Sequence, residues 1–238
     1  MKYQWVLFDA DETLFHFDIL SGLTHMFARY GVRFTQSDFD EYQSVNKPLW
    51  VQYQNGEINA QQLQITRFMQ WGNKLNVQPK ELNEQFLDAM AEICEPLDGA
   101  LDLVTSLHKR GIKMGIITNG FAQLQEIRLQ RTGFKPYFFP VVISELVGVA
   151  KPHLDIFNYA LTKMNNPDPE KVLMVGDTLE SDILGGNNAG FDTCWLNHHH
   201  NLETSSGNSK AVNQPLNTKI RPTYQVTSLT ELLALLSE

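Results

Sequence analysis

Short apolar runs alternate with amphipathic stretches along most of the chain, and the alternation is interrupted once, near its start. Trp5-Val6-Leu7-Phe8 is apolar at consecutive positions, the pattern of a strand buried on both faces of a parallel sheet. From about residue 19 to 95 no such run recurs. Ile19, Leu23, Met26, Phe27 and Tyr30 share one helical face, and Gly31 ends that helix. Thr35-Gln36-Ser37-Asp38 has the form of a capping box and opens a second helix. Its apolar positions are Phe39, Tyr42, Leu49, Trp50 and Tyr53, and Asn55-Gly56 breaks it. A third helical pattern carries Leu63, Phe68 and Leu75. A fourth, after Pro79, carries Leu82, Phe86, Met90 and Ile93. Four helices in succession predict a small antiparallel bundle.

After Pro96 the alternation resumes. A helix closed by Gly111 leads to a strand, Ile112 to Ile117, that runs into Thr118-Asn119-Gly120. A helix over about 121–131 precedes a strand around Val141-Val142-Ile143. Lys151-Pro152 then opens a helix carrying Ile156, Phe157, Ala160 and Leu161. Val172-Leu173-Met174-Val175 is a further buried strand and ends in Gly176-Asp177. A glycine-rich helix, with Gly185, Gly186, Ala189 and Gly190, leads to the strand Thr193-Cys194-Trp195-Leu196. Residues 197–222 are polar and predict one long surface loop. Ser228-Leu229-Thr230-Glu231 caps a last amphipathic helix. Strands alternating with helices imply right-handed crossovers and a parallel sheet. The expected fold class is therefore α/β with an all-helical insert: a core of residues 1–15 and 96–238, and a helical cap of residues 16–95.

Composition narrows the function. The 238 residues suffice for two modest domains, and a net charge of −8 argues against nucleic acid polymers and anionic membranes as partners. No long apolar segment precedes the first acids, so no signal peptide or membrane span is expected. Cys94 and Cys194 stand in unrelated apolar contexts and read as reduced core residues, which fits the cytoplasm. His198-His199-His200 invites a metal assignment, but three adjacent residues cannot all face one ion, and an exposed polar tract is the better reading.

The candidate chemistry lies at the strand ends, where open α/β sheets collect ligands. Asp9 and Asp11 follow the first strand at once. Two acids one residue apart repel each other unless a proton or a cation intervenes, and Mg²⁺ takes carboxylate oxygens while sharing phosphate. Thr118 and Asn119 end the strand after the insert, and Lys151 opens a helix. Gly176-Asp177 ends a later strand, with Asp182 five residues on. Each feature alone suits a turn; the four in this order suit a phosphate site.

These residues resemble the four motifs of the haloacid dehalogenase superfamily. Asp9, Asp11 and Thr13 match its Asp-x-Asp-x-Thr, Thr118 its second motif and Lys151 its third. Gly176, Asp177 and Asp182 match its fourth. The resemblance implies a Rossmann-like, three-layer core with a helical cap. It also implies Asp9 as nucleophile and Asp11 as general acid and base, its pKa raised by burial under the cap. Mg²⁺ would be held by Asp9, the main-chain carbonyl of Asp11 and Asp177, with Asp182 joining through water. Thr118 and main-chain amides, including that of Asn119, would bind phosphoryl oxygens, and Lys151 would neutralise the transferring group.

Dehalogenases of the superfamily lack the second acid of the first motif, so Asp11 argues for phosphate chemistry. Sugar phosphatases and phosphomutases share all four motifs and remain an alternative. Further stretches are similar to the bacterial house-cleaning pyrimidine 5′-nucleotidases: residues 8–15, Val45-Asn46-Lys47-Pro48-Leu49-Trp50, 90–94, Arg131-Thr132-Gly133, 176–190 and 194–197. That resemblance implies a nucleoside 5′-monophosphate substrate of the deoxyuridine or thymidine type. Base selection would then fall to the cap. Asn46, Lys47 and Trp50 are the candidates, with Trp50 as bundle core and Asn46 as a solvated residue the competing reading. Phe15 and Phe17 stand between packing and substrate contact.

Overall fold

The structure, a computed structural model, describes residues 2–198 and 219–237. Most of the expected 197–222 loop, with His199 and His200, lies outside the described residues.

Six strands form one parallel sheet: β1 (Trp5–Phe8), β2 (Lys113–Thr118), β3 (Phe138–Ile143), β4 (Val172–Gly176), β5 (Asp192–Leu196) and β6 (Tyr224–Val226). Their order is β3-β2-β1-β4-β5-β6, the doubly wound arrangement whose strand order reverses beside β1. β6 was not anticipated. It is three residues long and emerges from a polar stretch, too short for an alternation to register.

Both faces of β1 are covered, which is why its apolar run is unbroken. Val6 and Phe8 pack with Leu103 and Leu107 of α6 (Ala100–Lys109) and with Leu229 and Leu232 of the last helix, Leu229–Leu235. Trp5 and Leu7 face the other way, onto Ile156, Phe157 and Ala160 of α9 (Leu154–Lys163). Helix, sheet and helix make the three layers. At the last helix Ser228 accepts from the Glu231 amide, as a cap should. Cys94 and Cys194 are buried free thiols.

The segment between β1 and α6 holds five helices rather than four: α1 (Ile19–Ala28), α2 (Gln36–Gln54), α3 (Ala60–Thr66), α4 (Met69–Leu75) and α5 (Pro79–Ile93). The expected third helix bends at Arg67 and Phe68 with no glycine or proline to announce it. Phe68 has φ −108° and ψ 3°, outside the helical range, and the bend turns both side chains inward. The Thr35–Asp38 capping box is present at the start of α2. These helices enclose a second apolar cluster, in which Leu23, Phe27, Leu63, Phe68 and Phe86 are buried. Phe121 and Leu124, from the chain after β2, complete that cluster. Among the described residues no helix is long and apolar enough to cross a membrane.

Candidate active site

The ends of three strands, β1, β2 and β4, and the turn before α9 deliver the polar residues to one cavity of about 290 Å³. Asp9 continues directly from β1 and donates its amide to the Val175 carbonyl of β4 at 2.8 Å, which fixes it between the two central strands. Thr118 closes β2 with its hydroxyl oxygen accepting the Gly120 amide at 3.0 Å, so its own proton is free for a ligand. Asp177 follows β4, held in place by the Trp195 indole, which donates to its carbonyl oxygen at 2.8 Å. Asp182 stands in a π-helical turn, Leu179–Ile183, a wide turn often found at functional sites. The glycine at 176 makes room for it: a Cβ there would fall 2.3 to 2.4 Å from the Asp182 side chain.

Lys151 is the cation of the group. It is 1% exposed, and its ammonium lies 2.5 Å from Asp9, 2.7 Å from Asp182 and 2.6 Å from the Ile117 carbonyl oxygen. It does not open a helix as expected. It lies in a turn three residues before α9, where Asn119 grips its backbone at both ends. The Asn119 side-chain oxygen accepts from the Lys151 amide at 2.7 Å, and its NH₂ donates to the Lys151 carbonyl at 3.0 Å. The side chain of Asn119 therefore positions the lysine rather than facing a ligand.

Three acids against one lysine leave surplus negative charge in a low-dielectric place. Burial pushes the Asp9 carboxyl up to about 7; Lys151 pulls the other way, and the Asp182 and Asp11 charges add to the rise. Asp177 goes up to about 8, first through burial and then through Asp182 and Asp9. Burial opposes the charge on Lys151, but Asp182 and Asp9 outweigh it and raise its pKa. Oxygen atoms of Asp9, Asp177 and Asp182 lie within 4.8 Å of one another. A set of hard oxygens with an excess of negative charge fits a small divalent cation. Asp9 and Asp177 are the freer ligands. Asp182 already accepts from Lys151, from the Thr178 amide at 3.1 Å and from the Ser181 hydroxyl at 3.2 Å.

The surroundings of Asp11 differ from expectation. It lines the cavity with its side chain 27% exposed, not sealed under apolar cover, and it is ion-paired to Arg128. Arg128 belongs to α7 (Ala122–Arg131) and is wholly buried. Its Nε and Nη2 donate to the Gln125 side-chain oxygen at 3.0 and 2.7 Å, and its guanidinium lies 4.7 Å over the Phe15 ring. Sequence motifs gave no sign of it. A signal existed, since Gln125 and Arg128 share a helical face with Leu124 and Leu129, and polar residues on an apolar face call for partners. Breaking a buried ion pair leaves its partner uncompensated. Arg128→Met is thus expected to lower stability by about 3 kcal/mol in urea unfolding. Unchanged stability would mean that the pair does not tie α7 to the Asp11 loop.

The helices inserted after β1 supply the opposite wall. Asn46, buried, and Trp50, half-buried, both line the cavity, and Trp50 is 5.4 Å from Phe121. Lys47 does not line it. One residue along α2 turns the side chain by about 100°, and Lys47 is exposed. Phe17 lines the cavity, whereas Phe15 is core, packed 5.4 Å from Phe134. Arg67, overlooked in the sequence, is buried in the same wall. The described His198 is 4.0 Å from Glu12 and is not gathered with the acids.

Comparison with known proteins agrees with this geometry. Residues 3–190 match the haloacid dehalogenase-like hydrolase family. The chain is 56% identical over 236 residues to the pyrimidine 5′-nucleotidase YjjG of Escherichia coli, covering 99% of each. It is 36% identical over 238 residues to the pyrimidine 5′-nucleotidase PynA of Streptococcus pneumoniae, covering 98% of this chain and 94% of the other. The crystal structure of the HAD-hydrolase YfnB from Bacillus subtilis, bound to magnesium, superposes with a TM-score of 0.77 at 28% identity and 99% coverage of both chains. A strand order that reverses beside β1, acids placed at that reversal and a match running through all four motifs lead to one conclusion: this chain belongs to the haloacid dehalogenase-like hydrolase family.

Proposed function

We propose that the chain is a Mg²⁺-dependent phosphatase of pyrimidine nucleoside 5′-monophosphates, with residues 16–95 acting as a cap over a core of residues 1–15 and 96–238. The observation that carries the chemistry is Asp9, lining the cavity beside Lys151 and within reach of Asp177. The substrate class is supported by the likeness to two pyrimidine 5′-nucleotidases over nearly the whole chain.

A phosphate monoester is inert, and attack by a carboxylate divides its hydrolysis into two easier displacements. An Asp9 oxygen attacks phosphorus, forming an aspartyl-phosphate as the bond to the nucleoside 5′-oxygen breaks. Asp11 passes a proton to that leaving oxygen. It then takes a proton from the water that attacks phosphorus and frees Asp9. The Thr118 hydroxyl donates to a phosphoryl oxygen, and Lys151 offsets charge on the transferring group and keeps Asp9 aimed. Asn119 fixes the lysine, and Arg128 fixes Asp11. Mg²⁺ bound by Asp9 and Asp177, with the Asp11 carbonyl as a third donor and Asp182 behind them, would supply the positive charge that lets two anions approach.

A panel of nucleoside monophosphates and sugar phosphates, assayed with Mg²⁺ and again with a chelator, tests this reading. The expected result is hydrolysis of deoxyuridine and thymidine monophosphates that chelation abolishes and added Mg²⁺ restores. Preference for a hexose phosphate, or activity that survives chelation, would overturn it.

A further inference from the structure

Arg67 is a charged side chain that the phosphotransfer steps do not use, yet it is 5% exposed and lines the same cavity as Asp9. Its guanidinium is ringed by the faces of Phe68, Phe86 and Phe121, at 5.3, 5.0 and 5.1 Å. Two of its five N–H groups, on Nε and Nη2, donate to the Asn83 side-chain oxygen at 2.9 and 2.5 Å. Among the described residues no carboxylate lies within 4 Å of it. Glu145, the acid that acts on it from further off, spends its oxygens on Gln64 and on the Ala122 amide. Burial accordingly lowers the pKa of Arg67. The Tyr42 hydroxyl, which lines the same cavity, also acts on it as a side-chain hydrogen-bond partner. A buried cation held by one amide oxygen, one hydroxyl and aromatic faces still has N–H donors to spare, and burying a donor without an acceptor is costly.

Beside it the cavity offers a second polar group. Asn46 is 3% exposed; its NH₂ donates to the Gln43 side chain at 3.1 Å, while its oxygen has only the Tyr42 hydroxyl at 3.5 Å, a weak contact. The wall therefore presents guanidinium donors and an amide acceptor, with Trp50 and Phe121 as ring faces. Resting on the nucleotidase reading above, we propose that Arg67 reads the C4 carbonyl of a uracil- or thymine-type base, with the Asn46 oxygen accepting from its N3–H. The acids occupy the strand ends and Arg67 the cap wall, so the base edge furthest from sugar and phosphate is the edge that meets it. Cytosine inverts both groups, offering an amino donor to a donor and a bare nitrogen to an acceptor. A site built on buried hydrogen bonds rejects such a mismatch strongly.

The test compares kcat/KM for deoxyuridine monophosphate, deoxycytidine monophosphate and base-free deoxyribose 5-phosphate, in the parent enzyme and in Arg67→Met and Arg67→Lys. The parent is expected to favour deoxyuridine over deoxycytidine monophosphate by about tenfold or more. Arg67→Met should lower kcat/KM for deoxyuridine monophosphate by about 10- to 100-fold, while the base-free ester changes less than about threefold. Arg67→Lys keeps the charge without the planar fork and should fall between. Equal use of the two nucleotides by the parent overturns the proposal even if neither variant folds. So does an equal loss on all three substrates, which would mark Arg67 as structural. A parent that prefers the base-free ester to both nucleotides instead refutes the nucleotidase reading itself.

Discussion

Asp9→Asn is expected to abolish turnover, by about 10⁴-fold or more, without weakening the fold. The amide matches the carboxylate in size, so nothing in the packing around this 8% exposed residue has to move. Its oxygen can still accept from Lys151. What it loses is nucleophilicity, and removal of a nucleophile typically costs four to six orders of magnitude. It also loses a charge that Asp182 and Asp11 repel. Stability should therefore hold or rise, and single-turnover assays paired with thermal unfolding would measure both effects. Residual activity within tenfold of the parent would exclude Asp9 as the attacking group. A collapse of the fold would mean that its charge, not its reactivity, is what the site requires.

Lys151→Met should damage both properties. Among the described residues no other basic group lies within 4 Å of Asp9 or Asp182, so its removal strands three acids in a buried place. Removing one partner of a buried ion pair costs about 3–5 kcal/mol, and activity should fall by about 10³-fold through loss of charge compensation. The metal-free variant should unfold well below the parent. Mg²⁺ should raise its melting temperature by more than it raises that of the parent, since an ion that binds only the folded state stabilises it more the more tightly it binds, with the logarithm of affinity. An equal response to Mg²⁺ in both would place the cation somewhere other than between these acids.

Much of the site was legible because its residues are local to strand ends. An apolar run that stops at a pair of acids, a strand that stops at Thr118 and another that stops at Gly176-Asp177 announce themselves by sequence alone, and the sheet brings them together. Helix starts were equally plain at Thr35 and Ser228, where the cap is a bond between near neighbours. Arg128 and Arg67 were not legible. Each lies within or at the end of a helix where arginine is unremarkable, and each acquires its meaning from a partner far along the chain, Asp11 for one and the Phe121 ring for the other. The bend at Phe68 likewise has no local cause in residue type. Asn119 stands out in the sequence by its place at a strand end, but its task, clamping a lysine backbone 32 residues away, follows only from the way β2 ends beside the turn that precedes α9. Lys47 shows the converse error, for nearness in sequence on a helix is not nearness in space.

Phe121 stands at the start of α7, yet its ring packs among side chains of the inserted helices and touches both Trp50 and Arg67. Phe121 is thus one of the points at which the inserted helices meet the rest of the chain, along with Tyr53 on Ser144 and Gln64 on Glu145. If the inserted helices act as the proposed cap, lifting them would part Trp50 from Phe121 in the same motion that admits water to the acids. Occupancy and enclosure would then be a single event, and a molecule too small to bridge the two halves would gain nothing by entering.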